Sequence, residues 1–161
     1  MEQDYKYYLD LGITETNNGN YDKALTALDK ALELKPQSAL CYFSKAIAFY
    51  NKGDIESAYA NYGKAIEIDN KMIDAYYNRA LIILSDEKSD IIALQSALED
   101  FNTSIKLDNK FIDAYYYKAV TQKKLKDYNG ALETLNKVLE IEPNAIYSKA
   151  LKKLLLQKYI K

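Results

Sequence analysis

Histidine and tryptophan are absent from this 161-residue chain, and cysteine, proline and glycine occur once, twice and five times. Without imidazole, histidine base catalysis and most zinc sites are excluded, and a lone Cys41 cannot close an intramolecular disulfide. So few prolines and glycines supply too few turns for a β-sandwich or barrel, which leaves long helices as the expectation. Arginine occurs only at Arg79, the other basic residues being lysines, and the net charge is -1. No global field draws such a chain to nucleic acid or an anionic membrane, and base-edge readout lacks its guanidinium forks. No apolar run approaches the roughly 18 residues needed to span a bilayer. The stretch Met1–Tyr8 has neither the basic nor the apolar region of an export signal, so a cytoplasmic location is expected unless such a signal has been trimmed. Glycine-rich phosphate loops, nucleophile elbows and metal-ligand spacings are also missing. The expectation is therefore no enzyme, no cofactor and no metal site, with Cys41 as a small core filler.

What is abundant is tyrosine, 16 copies against four phenylalanines. Its distribution is periodic. Ala24, Ala58, Ala97 and Ala131 fall at intervals of 34, 39 and 34 residues, and other columns keep the same register. Leu28, Tyr62, Phe101 and Leu135 form one, and Ala31, Ala65, Ser104 and Val138 another. Pro36, Asn70, Asn109 and Pro143 close each unit. Upstream lies an aromatic column, Tyr8, Tyr42, Tyr76 and Tyr115, followed four residues later by the small residues Gly12, Ala46, Ala80 and Ala119. A fixed period of this length marks a repeat architecture.

Each unit reads as two amphipathic helices. Tyr21, Ala24, Leu25, Leu28, Ala31 and Leu32 recur at helical spacing, opposite a charged face. Gly19-Asn20 and Gly53-Asp54 supply a break and an N-cap, while Pro36 and Pro143 stop the helix that follows. The small column allows close approach of a facing helix. Five extra residues, falling within 85–90, lengthen the third unit, and Ile91, Leu94, Leu98, Phe101 and Ile105 predict a second helix that starts early. This insertion is either a functional loop or a solvated connection. Residues 146–161 form a further helix with Ala150, Leu151, Leu154 and Leu155 as its stripe. It also carries Lys149, Lys152, Lys153, Lys158 and Lys161, with no acidic residue. It is either a cap on the last unit or a basic surface for an acidic partner or membrane.

These columns resemble the tetratricopeptide repeat family, over nearly the whole chain. The resemblance implies an all-α fold, a right-handed superhelical solenoid of helix-turn-helix repeats forming a single domain over 1–161. Its units are placed at about 5–38, 39–72, 73–111 and 112–145, with a C-terminal capping helix at 146–161. Three departures stand out: tyrosine replaces the family's tryptophan, Glu15 and Gln122 replace an aromatic, and the third unit is longer.

In this family the first helix of each unit lines a concave groove. Carried over residue by residue, the groove would present Leu9, Ile13 and Thr16; Phe43, Ile47 and Tyr50; Tyr77, Leu81 and Leu84; and Tyr116, Val120 and Lys123. Lys6, Asp10, Ser44, Asn78 and Tyr117 are placed at its edge, with Asp74 and Asp113 near helix starts. Ile13, Ile47, Leu81 and Val120 occupy a column where relatives often place asparagine, giving either an exposed apolar stripe or part of the inter-helix core. The branch that clamps an acidic C-terminal carboxylate needs cations and amides where this chain has Leu9, Ile13, Ser44, Asp74 and Asn78, so that ligand is excluded. Asp74 and Asp113 either favour an amino-bearing ligand or offset helix dipoles. The expected function is a non-catalytic scaffold or adaptor that binds a peptide or helix of another protein through apolar and tyrosine contacts. The alternative is a self-assembling structural protein, a homo-oligomer through the groove or terminal helix. No nucleic-acid partner and no membrane span are expected.

Overall fold

The computed structural model describes residues 4–159. Its described residues form nine α-helices and no strand, in two compact units, the first ending at Ala75 and the second starting at Tyr76.

In the first unit α1 (Tyr5–Asn17) pairs with α2 (Tyr21–Leu34), and α3 (Ala39–Lys52) with α4 (Ile55–Ile68). The two helices of a pair can pack this tightly because the small column sits at their crossing. A Cβ on Gly12 would collide with the side chain of Leu28, which is fully buried. Around it Leu9, Leu28, Ala31 and Cys41 form a core cluster. Cys41 is buried, as befits a small apolar filler. Ser38 does two jobs at the start of α3. Its hydroxyl accepts from the Cys41 amide at 3.2 Å and meets the Tyr5 hydroxyl at 2.7 Å.

The corners explain the sparse glycines. Gly19 (φ +79°) and Gly53 (φ +91°) take left-handed conformations that a side chain disfavours. The equivalent corner of the last repeat is Lys126, at φ 63° without glycine's freedom. Asp54 caps α4 as expected, accepting from the Ser57 amide at 3.1 Å. Asn20 does not cap α2: its amide donates to Glu15 at 2.8 Å, which occupies the place of the missing aromatic.

The second unit contains most of α5 (Ile73–Ser85), then α6 (Ile91–Leu107), α7 (Ile112–Lys124), α8 (Tyr128–Ile141) and α9 (Ile146–Lys158). Helix α6 has 17 residues where α4 and α8 have 14, so the insertion is shared between helix and loop. Asp90 caps it through the Ala93 amide at 2.8 Å, and the Ser89 hydroxyl donates to the Ile83 carbonyl at 2.7 Å. Of its expected apolar stripe, Leu94 and Phe101 are buried but Ile91 is exposed, because the added first turn extends beyond the core.

Two polar groups sit inside this unit. Arg79 grips Asp100 with both arms of its fork, Nε and Nη2 each 2.8 Å from a carboxylate oxygen, and Asp100 is only 6% exposed. Gln122, standing in the other aromatic's place, accepts from Thr134 at 2.7 Å and donates to Asp127 at 3.2 Å. Helix α9 covers the exposed side of the last pair: Leu151 and Leu155 join Ala119, Ala131 and Leu135, while Ala150 and Leu154 of the expected stripe face solvent with Lys149, Lys153 and Lys158. Lys161 lies outside the described residues.

Candidate peptide-binding faces

The sequence-predicted groove residues fall on two faces, one in each unit. In the first, Ile13 of α1 and Ile47 of α3 line a small cavity of about 50 Å³ with Thr16, Asn17 and Ser44. Ile13 is 36% exposed and Tyr50 more so. Phe43 is half-buried, its ring 5.6 Å from that of Tyr62. Burial raises the Tyr62 hydroxyl well above the ordinary tyrosine pKa, with Tyr50 adding to the effect.

Leu9 requires a correction. At 5% exposure it packs against Leu28 and Ala31, so a partner cannot reach it without opening the core. Thr16 and Ser44 are buried too, the Thr16 hydroxyl donating back to the Gly12 carbonyl at 2.8 Å. Side chains one turn apart on a first helix are divided between face and core by small rotations that sequence register does not resolve. Asp74 stands exposed in the first turn of α5, where a carboxylate offsets the helix dipole.

The second face is aromatic. Tyr77 lies 4.7 Å from Phe111 and 6.1 Å from Tyr117, whose ring stacks on Phe101 at 6.3 Å. Tyr77 and Tyr117 therefore spend one side on the core. Leu81 and Val120 do likewise, half-buried against the same cluster, so the aliphatic stripe here is largely inter-helix packing. Leu84 is buried outright, and Asn78 is half-buried.

Tyr116 turns the other way, 5.2 Å from Tyr117 and 6.2 Å from Tyr147. With Tyr77, Asp113, Glu142 and Ile146 these tyrosines line a cleft of about 390 Å³ beside the start of α9. Burial raises the Tyr77 hydroxyl, as do the Asp113 carboxylate and Tyr117; Tyr116 is raised by burial and by its two tyrosine neighbours. Tyr147, 76% exposed, is the residue the repeat register missed, because it lies beyond the four aligned units and has no column to reveal it. No group of three or more candidate metal ligands occurs among the described residues. No helix among them is long and apolar enough to cross a membrane.

Several known proteins are similar to this chain in sequence or in fold. The chain is 30% identical over 82 residues to the Photosystem I assembly protein Ycf3 of Acaryochloris marina, over 49% of this chain and 49% of that one. It thus spans about half the length of that relative. Among solved structures, MamA superposes with a TM-score of 0.81 at 21% identity, covering 98% of this chain and 88% of the other. The first TPR domain of Spaghetti (RPAP3), bound to the HSP90 peptide SRMEEVD, superposes with a TM-score of 0.64 at 22% identity, covering 75% and 94%. At these identities the structural likeness speaks to fold alone. Models described as TPR repeat match residues 14–53 and 48–85, and one described as Tetratricopeptide repeat matches 112–145. Matched over most of its length, the chain belongs to the tetratricopeptide repeat family, and its fold class is the all-α tetratricopeptide solenoid.

Proposed function

We propose that the chain is a non-catalytic adaptor that binds a peptide or helical segment of another protein through its apolar and tyrosine side chains. The observation that carries this reading is the exposure of Ile13, Tyr50 and Tyr147, with the half-buried Tyr116 beside Tyr147, on first-helix faces and α9, in a family whose solved members include one with a peptide bound. Tyrosine suits that work, giving contact area and a hydroxyl with few torsions to freeze. An acidic C-terminal ligand of the SRMEEVD kind does not fit, since Ile13, Ser44, Asp74 and Asn78 offer no cation to clamp it. A buried free thiol at Cys41 suits the reducing cytoplasm, the compartment proposed here.

The test is selection of displayed random peptides against the intact chain, followed by binding of the selected peptides to Ile13→Asp, Tyr50→Ala and Tyr116→Ala variants. At least one class of selected peptides should lose affinity for these variants while helical circular dichroism is retained. Unchanged binding by all of them would remove these faces from consideration. Self-assembly is the second reading, favoured by Leu154 and Leu156, which α9 leaves exposed. Light scattering that finds a strict monomer at high micromolar concentration would dispose of it.

A further inference from the structure

The cleft of the second unit has a chemistry distinct from the apolar face of the first. Its walls are the rings of Tyr77, Tyr116 and Tyr147, its rim carries Asp113 and Glu142, and no lysine or arginine lines it. Neither carboxylate makes an ion pair or a side-chain hydrogen bond among the described residues. Asp113 lies in the first turn of α7, while Glu142 caps the C-terminal end of α8 just before α9 begins, and neither α7 nor α9 has a side-chain N-cap. The starts of α7 and α9 each contribute about half a positive charge and the end of α8 about half a negative one, so with two full carboxylate charges the cleft keeps roughly one and a half net negative charges. Electron-rich ring faces add to its preference for a cation.

We propose that this cleft receives an arginine side chain from an extended segment of a partner protein. This deepens the adaptor reading and rests on it. A guanidinium lies flat on a tyrosine face while its edge donates to a carboxylate, and it sheds water more readily than an ammonium. The planar group would lie on the exposed face of Tyr147, beside the Tyr116 ring that contacts it at 6.2 Å and 53°, with its fork toward Asp113. Apolar residues flanking the arginine would lie over the exposed side chain of Ile146.

The experiment titrates the intact, isotope-labelled chain with the peptide acetyl-Ala-Leu-Arg-Leu-Ala-amide and with the same peptide carrying citrulline, which keeps the shape and loses the charge. The arginine peptide should shift the amide signals of Tyr77, Asp113, Tyr116 and Tyr147, and bind about tenfold more tightly than the citrulline peptide. Asp113→Asn and Tyr147→Ala, both at exposed positions, should each reduce that ratio while circular dichroism stays unchanged. Equal affinities at the cleft would overturn the arginine assignment and leave peptide binding standing. Shifts confined to other residues, or none with either peptide at millimolar concentration, would also overturn it. So would a concentration-dependent dimer that occupies the cleft and is not displaced by the arginine peptide.

Discussion

The sharpest consequence of the structure concerns the single arginine. Arg79 on α5 and Asp100 on α6 are joined by two 2.8 Å bonds, with the arginine side chain 21% exposed and the aspartate 6%. Removing one member of a buried ion pair costs about 3–5 kcal/mol, because the other charge is left desolvated and unpaired. Water reaches one side of this guanidinium, so Arg79→Met should cost somewhat less, roughly 2–4 kcal/mol. That corresponds to a Tm lowered by about 5–15 °C in a domain of this size. The partner substitution Asp100→Leu should be similarly harmful, since it strands the guanidinium instead. The double variant Arg79→Met, Asp100→Leu should recover most of the loss, because an apolar pair of similar volume removes both desolvation penalties. Urea and thermal unfolding followed by far-ultraviolet circular dichroism on all four proteins gives the coupling energy. The reasoning fails if Arg79→Met costs less than about 1 kcal/mol, as an exposed pair would. It fails equally if the two single effects simply add.

Three further predictions follow from burial and backbone geometry. Lys126→Gly should stabilise the protein by up to about 1 kcal/mol in urea unfolding, since relief of the left-handed backbone outweighs glycine's extra unfolded-state freedom; a loss of stability would show that the lysine side chain contributes more than its strain costs. Gly12→Val should destabilise by about 1–3 kcal/mol, because a branched side chain would meet Leu28 at the α1–α2 crossing, and a neutral thermal shift would refute close packing there. Burial holds the hydroxyls of Tyr62, Tyr77 and Tyr116 above the ordinary tyrosine value of 10.0, so the unfolded chain loses these protons at lower pH than the folded one. Stability from this source is complete below pH 10 and declines as pH rises beyond it; the midpoint urea concentration should fall above pH 10, and Tyr62→Phe should blunt the fall.

Much of the fold is legible because the same side chains recur at the same contacts. The alanine column is buried to completion at Ala24, Ala58, Ala97 and Ala131, and Ala46, Ala80 and Ala119 likewise occupy helix crossings without exposed surface. A spacing that returns four times needs no knowledge of partners far along the chain, since each unit is held by its immediate neighbours. The longer α6 also follows from its local apolar spacing. Where a position departs from the repeat, this local logic is lost. Glu15 and Gln122 occupy corresponding slots, yet one is tied to Asn20 near the surface and the other is buried against Thr134 and Asp127.

The candidate faces were less legible for the same reason. Leu9, Phe43, Tyr77 and Tyr116 occupy one column, yet Leu9 is sealed in the core, Phe43 and Tyr77 lean on other rings, and Tyr116 turns to Tyr147. Sequence specifies that a bulky residue stands at that turn of the helix; neighbouring rings decide which of its surfaces meets water.

The sequence by itself determined the helical pairs, the small residues at their crossings and the absence of histidine chemistry, all of which follow from composition and near-neighbour periodicity. Only the tertiary structure decided that Arg79 is bound to Asp100, 21 residues away, and that Tyr147 completes a cleft begun by Tyr77 and Tyr116. Such pairings depend on where packed helices bring side chains together, and no periodic signal along the chain encodes that meeting.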